Sequence, residues 1–226
     1  MRLETILQSN FAQTVIKPLV PAYVRQGLRS RQSRLQADEG AANVHWMRVS
    51  YIDHWTRFLS ALPTQKMSLL EISPGPVSMW RELGWSSYRP VQYPDFDITA
   101  EALPETFDVI IAEQVFEHLR HPHAAAKNVH AMLKDDGVFV IGTPFLVRVH
   151  NEPADYTRWT ELGLAGFLED AGFTAETFSW GNGDCVAANL RQWVFHREGQ
   201  DMRNEADLPL VVWAYARKSS RSTNRF

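Results

Sequence analysis

The hydrophobic rhythm of the chain changes near residue 66. Before it, apolar residues recur at helical spacing; after it, short apolar and β-branched runs alternate with helical stretches. In the first part Ile6, Leu7, Phe11 and Val15 share one face of a predicted helix, because residues three and four apart stand on the same side of an α-helix. Pro18 and Pro21 interrupt it, since proline removes a backbone donor and clashes with the preceding turn. A second helical stretch runs from about Tyr23 to Leu35. A third spans Val44 to Leu62, with Trp46, Val49, Ile52, Trp55 and Leu59 in register and Pro63 as its stop.

From Met67 onward the pattern predicts alternating strands and helices. Met67 to Ile72 is a strand, Val77 to Leu83 a short helix closed by Gly84, and Tyr88 to Tyr93 a second strand. FDVIIA, from Phe107 to Ala112, reads as a strand buried on both faces. A helix over His123 to Leu133 is followed by an Asp136-Gly137 turn into the strand Val138 to Thr143. Thr160 to Ala171 is a further helix ended by Gly172, and Phe173 to Trp180 and Leu210 to Ala216 are the last strands. This alternation predicts an α/β architecture, an open and mostly parallel sheet covered by helices on both faces. The expected organisation is a helical N-terminal cap over 1–66, an α/β domain over 67–217 and a polar, frayed tail over 218–226.

Composition narrows the picture only modestly. With 226 residues, 45% hydrophobic and 22% charged, the chain is an ordinary globular protein able to bury one substantial core. A net charge of -3 gives no general attraction for nucleic acid. The local exception is the stretch with Arg25, Arg29, Arg31 and Arg34, read either as a solvated face or as a contact for an anionic acceptor or membrane surface. The single cysteine, Cys185, cannot form an internal disulfide, which suits a reducing compartment. No run approaches the length of a membrane span, and no export signal is evident at the N-terminus. Cytoplasmic localisation is expected.

In an open parallel sheet, ligands bind beyond the carboxyl ends of the strands. The first such loop is SLLEISPGPVSMW, where a strand ends in Glu71 and meets the turn Ser73-Pro74-Gly75-Pro76. On its own, that turn is equally a plain strand-to-helix connection. There is no G-x-G-x-x-G after the first strand and no G-x-S-x-G elbow anywhere, which disfavours a dinucleotide dehydrogenase and a serine hydrolase.

Read together, EISPG, YPDFDI, LPETFDVIIAEQVFEHL, MLKDDGVFVIGTPF and RWTELGLAGFLEDAGF resemble the ordered motifs of the class I S-adenosylmethionine-dependent methyltransferase family, over roughly residues 67–217. The resemblance implies a Rossmann-like, seven-stranded, mostly parallel sheet and S-adenosylmethionine as cofactor. It assigns Glu71, Ser73, Gly75 and Pro76 to the methionine end of that cofactor. Gln92 or Asp95 takes the ribose hydroxyls, Asp97 the adenine amino group, and Glu113 and Gln114 line the cleft. Two positions depart from the pattern, Pro76 and Ser78 standing where glycine is usual. The interval from Glu71 to Phe107 is also short, so the second helix is expected to be lost or reduced to a turn. Trp46, Tyr51 and Trp55 are either core residues or a cover for the cleft.

Methyl transfer from a sulfonium needs two reactants in line and, for a hydroxyl or protonated amine, removal of a proton. His118, His150 and Tyr156 are the catalytic candidates. Imidazole titrates near neutral pH, which makes His150, in the polar loop TPFLVRVHNEPADYTRWT, the preferred general base. Asp155 and Arg158 in the same loop are alternatively a structural pair. His150, Glu152 and Asp155 have metal-ligand chemistry but lack a helical i, i+4 histidine pair, so no metal is expected there. The expected function is S-adenosylmethionine-dependent methylation of a small-molecule or carbohydrate (glycan-type) acceptor, without a nucleic-acid partner. The alternative is a non-catalytic binding or scaffold protein that keeps the fold.

Overall fold

A computed structural model of the chain describes residues 44–75, 78–151 and 153–219. The helical readings over 1–43, with the arginine-rich stretch, lie outside the described residues, as do Pro76, Glu152 and most of the polar tail.

Among the described residues six strands form one sheet: β1 (Ser68–Ile72), β2 (Ser87–Val91), β3 (Phe107–Glu113), β4 (Leu133–Pro144), β5 (Phe173–Trp180) and β6 (Val211–Lys218). They lie in the order β2-β1-β3-β4-β6-β5. β2, β1, β3 and β4 pair in parallel, and β6 is antiparallel to both β4 and β5. The sheet therefore has six strands rather than the expected seven. The difference lies between β2 and β3. That segment contains Pro94, Asp95, Asp97 and Pro104, residues that favour turns over a ladder, and it forms turns with no strand.

The connection from β1 to β2 is also contracted. Where the sequence predicts a helix over Val77 to Leu83, the described part holds a single 3-10 turn, Arg81–Leu83, closed by Gly84 in the left-handed conformation at φ 72°. The Asp136-Gly137 turn is absorbed into β4 as an irregularity, Leu133 pairing with Phe107 and Val138 with Val109.

Among the described residues four helices accompany the sheet: α1 (Trp46–Ser60), α2 (Pro122–Met132), α3 (Glu161–Asp170) and α4 (Gly183–Asn189). Thr160 caps α3 by accepting from the Gly163 amide, and Asn182 caps α4 by accepting from Cys185. Alternate strand residues feed two cores. Leu70, Ile110, Phe139 and Val212 face α2 and α3, contributing with Ala125, Val129, Leu164 and Phe167 to one. Leu69, Val109, Val140 and Trp213 join Trp46, Tyr51, Trp55 and Leu59 of α1 in the other. The buried stripe of α1 is Trp46, Met47, Tyr51, Trp55 and Leu59, while Val49 and Ile52 lie at its margin. The largest rings win the inward positions because each removes the most apolar surface from water. Gly142 of β4 makes room for Trp55: a Cβ there would meet the indole Cζ2 at 2.9 Å.

Candidate active site and cofactor cleft

β1 and β3 are each followed by a residue held in left-handed backbone geometry. Ser73 follows β1 at φ 52° and Gln114 follows β3 at φ 55°. Such conformations cost free energy in non-glycine residues and cluster at ligand sites. Each is pinned by its neighbour strand, the Ser73 amide donating to Val91 O at 2.7 Å and the Gln114 amide to Gly142 O at 2.8 Å. Between them lies a cavity of about 190 Å³, lined by Arg48, Glu71, Ile72, Ser73, Pro74, Gly75, Glu113 and Gln114. Gly75 is not left-handed, and a Cβ on it would meet nothing within 4 Å. The buried amide oxygen and nitrogen of the Gln114 side chain have no hydrogen-bond partner among the described residues.

Glu71 is buried at the cavity wall. Its Oε2 accepts from the hydroxyls of Ser78 at 2.5 Å and Tyr88 at 2.7 Å. Burial pushes its carboxyl pKa up, the two hydroxyls only partly offsetting the effect, and the charge of Glu113 adds to it. Ser78, a departure from the glycine pattern, is thus a support for Glu71.

Glu113 faces the same cavity, yet both its oxygens are already engaged. Oε1 accepts from Tyr51 at 2.8 Å and from the Arg48 guanidinium, and Oε2 from the Trp80 indole at 2.8 Å. Full burial raises the pKa of the Tyr51 phenol well above its ordinary value, so it stays a donor. Glu113 therefore fixes α1 to the cleft, and Arg48 becomes a cavity residue that the sequence reading missed. Its signal was a lone arginine three residues before Tyr51 on an aromatic helix face.

A second cavity of about 500 Å³ shares Pro74 with the first and is lined by Gln92, Asp95, Phe96, Glu101 and Leu103 among others. Gln92 and Asp95 thus line one cavity. Asp97 lines neither cavity. Its Oδ1 accepts from the Thr99 hydroxyl at 2.7 Å and amide at 2.9 Å, and these bonds hold its pKa below the usual carboxylate value.

The loops after β3 and β4 form a third polar group. The 3-10 turn Phe116–His118 carries Glu117, whose side chain is fully buried. His150 Nδ1 stands 3.2 Å from Glu117 Oε1, and His118 Nε2 stands 3.5 Å from the same oxygen. The imidazole centroids are 4.5 Å apart, and Trp193 packs edge-on against His150. The β4 loop is anchored to this turn because His118 Nδ1 donates to Ala154 O and the Tyr156 amide donates to Glu117 O. The Tyr156 side chain is exposed. Asp155 is spent on Arg158 and on the His150 amide, at 2.9 and 2.7 Å. His150 and His118 are thus brought together, and Glu117, which the sequence reading missed, is what joins them.

Residues 44–177 match the sequence profile of the methyltransferase domain. The chain belongs to the class I methyltransferase family. S-adenosylmethionine is the cofactor of this family. No curated protein matches the chain. Solved methyltransferases share the fold at low identity. A TehB-like S-adenosylmethionine-dependent methyltransferase from Corynebacterium glutamicum is 18% identical, with a TM-score of 0.51 over 87% of this chain and 99% of its own. An S-adenosylmethionine-dependent methyltransferase from Mesorhizobium loti is 15% identical, with a TM-score of 0.52 over 80% and 99%. The 1,6-didemethyltoxoflavin-N1-methyltransferase of Burkholderia thailandensis, solved with that compound and S-adenosylhomocysteine, is 16% identical, with a TM-score of 0.50 over 89% and 91%. In the methyltransferase fold seen here, these two cavities lie where the parallel strands end. Among the described residues no helix is long and apolar enough to cross a membrane.

Proposed function

We propose that this methyltransferase binds S-adenosylmethionine across its two cavities and methylates a small-molecule or glycan-type acceptor. The observation that carries the reading is the pair of strained residues, Ser73 and Gln114, lining one cavity from the ends of two parallel strands. Arg48, Ser73, Gly75 and Gln114 would hold the methionine end, the guanidinium supplying a cation for its carboxylate. Gln92 and Asp95 would hold the ribose hydroxyls in the larger cavity. Glu71 and Glu113 act through position: one shapes the wall with Ser78 and Tyr88, the other fixes α1 and Arg48.

The cofactor supplies a methyl group already activated as a sulfonium. The chain therefore has to place the acceptor and manage its proton. Glu117, His118 and His150, on the loops that follow β3 and β4, are assigned to the acceptor. The test is transfer of labelled methyl from S-adenosylmethionine to a panel of hydroxylated small molecules and sugars. Transfer that is lost in Gln114→Ala supports the reading; a folded protein that neither binds the cofactor nor transfers the label supports the scaffold alternative.

A further inference from the structure

One ligand atom from each of Glu117, His118 and His150 lies within 4.8 Å of the others. Two of the separations, 3.2 Å from Glu117 Oε1 to His150 Nδ1 and 3.5 Å to His118 Nε2, match a coordination shell. Ligand atoms each ~2.1 Å from one ion stand roughly 3–3.5 Å apart.

The state of each donor points the same way. The Ala154 carbonyl can only accept, so the His118 bond to it places that proton on Nδ1 and leaves a lone pair on Nε2. A carbonyl behind the far ring nitrogen is the usual way a metal-binding imidazole is oriented. Glu117 is fully buried, and its Oε2 has no hydrogen-bond partner among the described residues. A buried carboxylate left this way is unfavourable, and an adjacent cation offsets the penalty. His150 keeps 28% of its side chain exposed, which leaves an approach from solvent. Asp155 is excluded by its bonds to Arg158 and to the His150 amide. The trio differs from the His150, Glu152 and Asp155 set weighed in the sequence.

We propose that Glu117, His118 and His150 form a binding site for a divalent first-row transition ion, whose open positions take oxygen atoms of the methyl acceptor. Two imidazoles and one carboxylate suit such ions and leave coordination positions free. The ion site stands on this geometry alone; its role toward the acceptor rests on the methyltransferase reading. A bound hydroxyl becomes more acidic next to a divalent ion. The acceptor class is accordingly one with adjacent oxygen donors, a vicinal diol or a hydroxy acid.

The test titrates the full, metal-stripped chain with cobalt(II), followed by visible absorption, and with zinc(II), followed by calorimetry. One ion per chain is expected, with a cobalt band that zinc displaces. His118→Ala and His150→Ala are each expected to weaken binding at least tenfold. His150 is partly exposed, so its variant serves if Glu117→Gln fails to fold. No bound ion, or binding unchanged by both histidine substitutions, overturns the site. S-adenosylhomocysteine titrated into the same preparation separates the two readings: cofactor binding without an ion removes the metal site alone, and an ion without cofactor binding removes only its assigned role.

Discussion

Ser78 donates its hydroxyl to Glu71 Oε2 at 2.5 Å, from a loop position where the family pattern favours glycine. The departure is thereby tied to the carboxylate at the cavity wall, whose same oxygen also accepts from the Tyr88 hydroxyl. Ser78→Gly leaves Glu71 with one donor and a less constrained loop. Affinity for S-adenosylhomocysteine is expected to fall about fivefold, on the order of 1 kcal/mol, with little change in melting temperature. Calorimetric titration checks it; unchanged affinity removes Ser78 from the account.

Gln114 stores backbone strain at the cleft. Gln114→Gly relieves the left-handed penalty and removes the unpartnered amide, so stability is expected to rise by about 0.5–1 kcal/mol while cofactor affinity drops. Urea denaturation and ligand titration on the same variant read the two effects. A variant that loses stability contradicts the strain, and one that keeps full affinity contradicts the contact.

Gly181 permits a close backbone approach. A Cβ there would lie 2.1 Å from Leu208 O and 2.5 Å from Leu210 N, so Gly181→Ala is expected to cost more than about 2 kcal/mol. Gly166, in α3, has nothing within 4 Å of an added methyl, and Gly166→Ala should stabilise by up to ~1 kcal/mol. Chemical denaturation of the pair tests packing at fixed chemistry.

Asp108 joins β3 to β1 by accepting from the Ser68 amide at 2.8 Å and its hydroxyl at 2.7 Å, with Lys134 alongside at 2.8 Å. Burial pushes its carboxyl pKa up, but Lys134 and Ser68 outweigh burial and hold it below the ordinary 3.8. A depressed carboxyl contributes stability above its unfolded pKa and loses it as pH falls through the folded value. Asp108→Asn is expected to cost about 1 kcal/mol at pH 7, the difference closing below pH 3.8. A pH-independent difference would contradict the linkage.

Most strands and helices from β1 onward are legible in the sequence because each carries its period on a few consecutive residues, as FDVIIA does for β3 and the stretch from Thr160 to Ala171 for α3; α4, a seven-residue helix, has too few turns to show a period, and the helix expected over Val77 to Leu83 is a 3-10 turn in its described part. The missing strand was less legible. Its absence depends on turn residues between Gln92 and Pro104 outcompeting a pairing partner, which no local period reports. Motif order singles out Glu71, Ser73, Gly75 and Gln114, and the structure brings these four to one cavity. Asp97 lies outside both cavities and holds Thr99 in a turn, a role that motif order does not separate from ligand binding. Arg48 and Glu117 escaped because their roles arise across the chain, from contacts with Glu113 and with His150.

Cofactor binding at the ends of β1 and β3 is read by calorimetric titration of the full chain with S-adenosylhomocysteine. The expected result is one site per chain with micromolar affinity, of order −7 to −8 kcal/mol, weakened at least tenfold by Gln114→Ala. No heat from a protein shown to be folded, or undiminished binding in that variant, would contradict it.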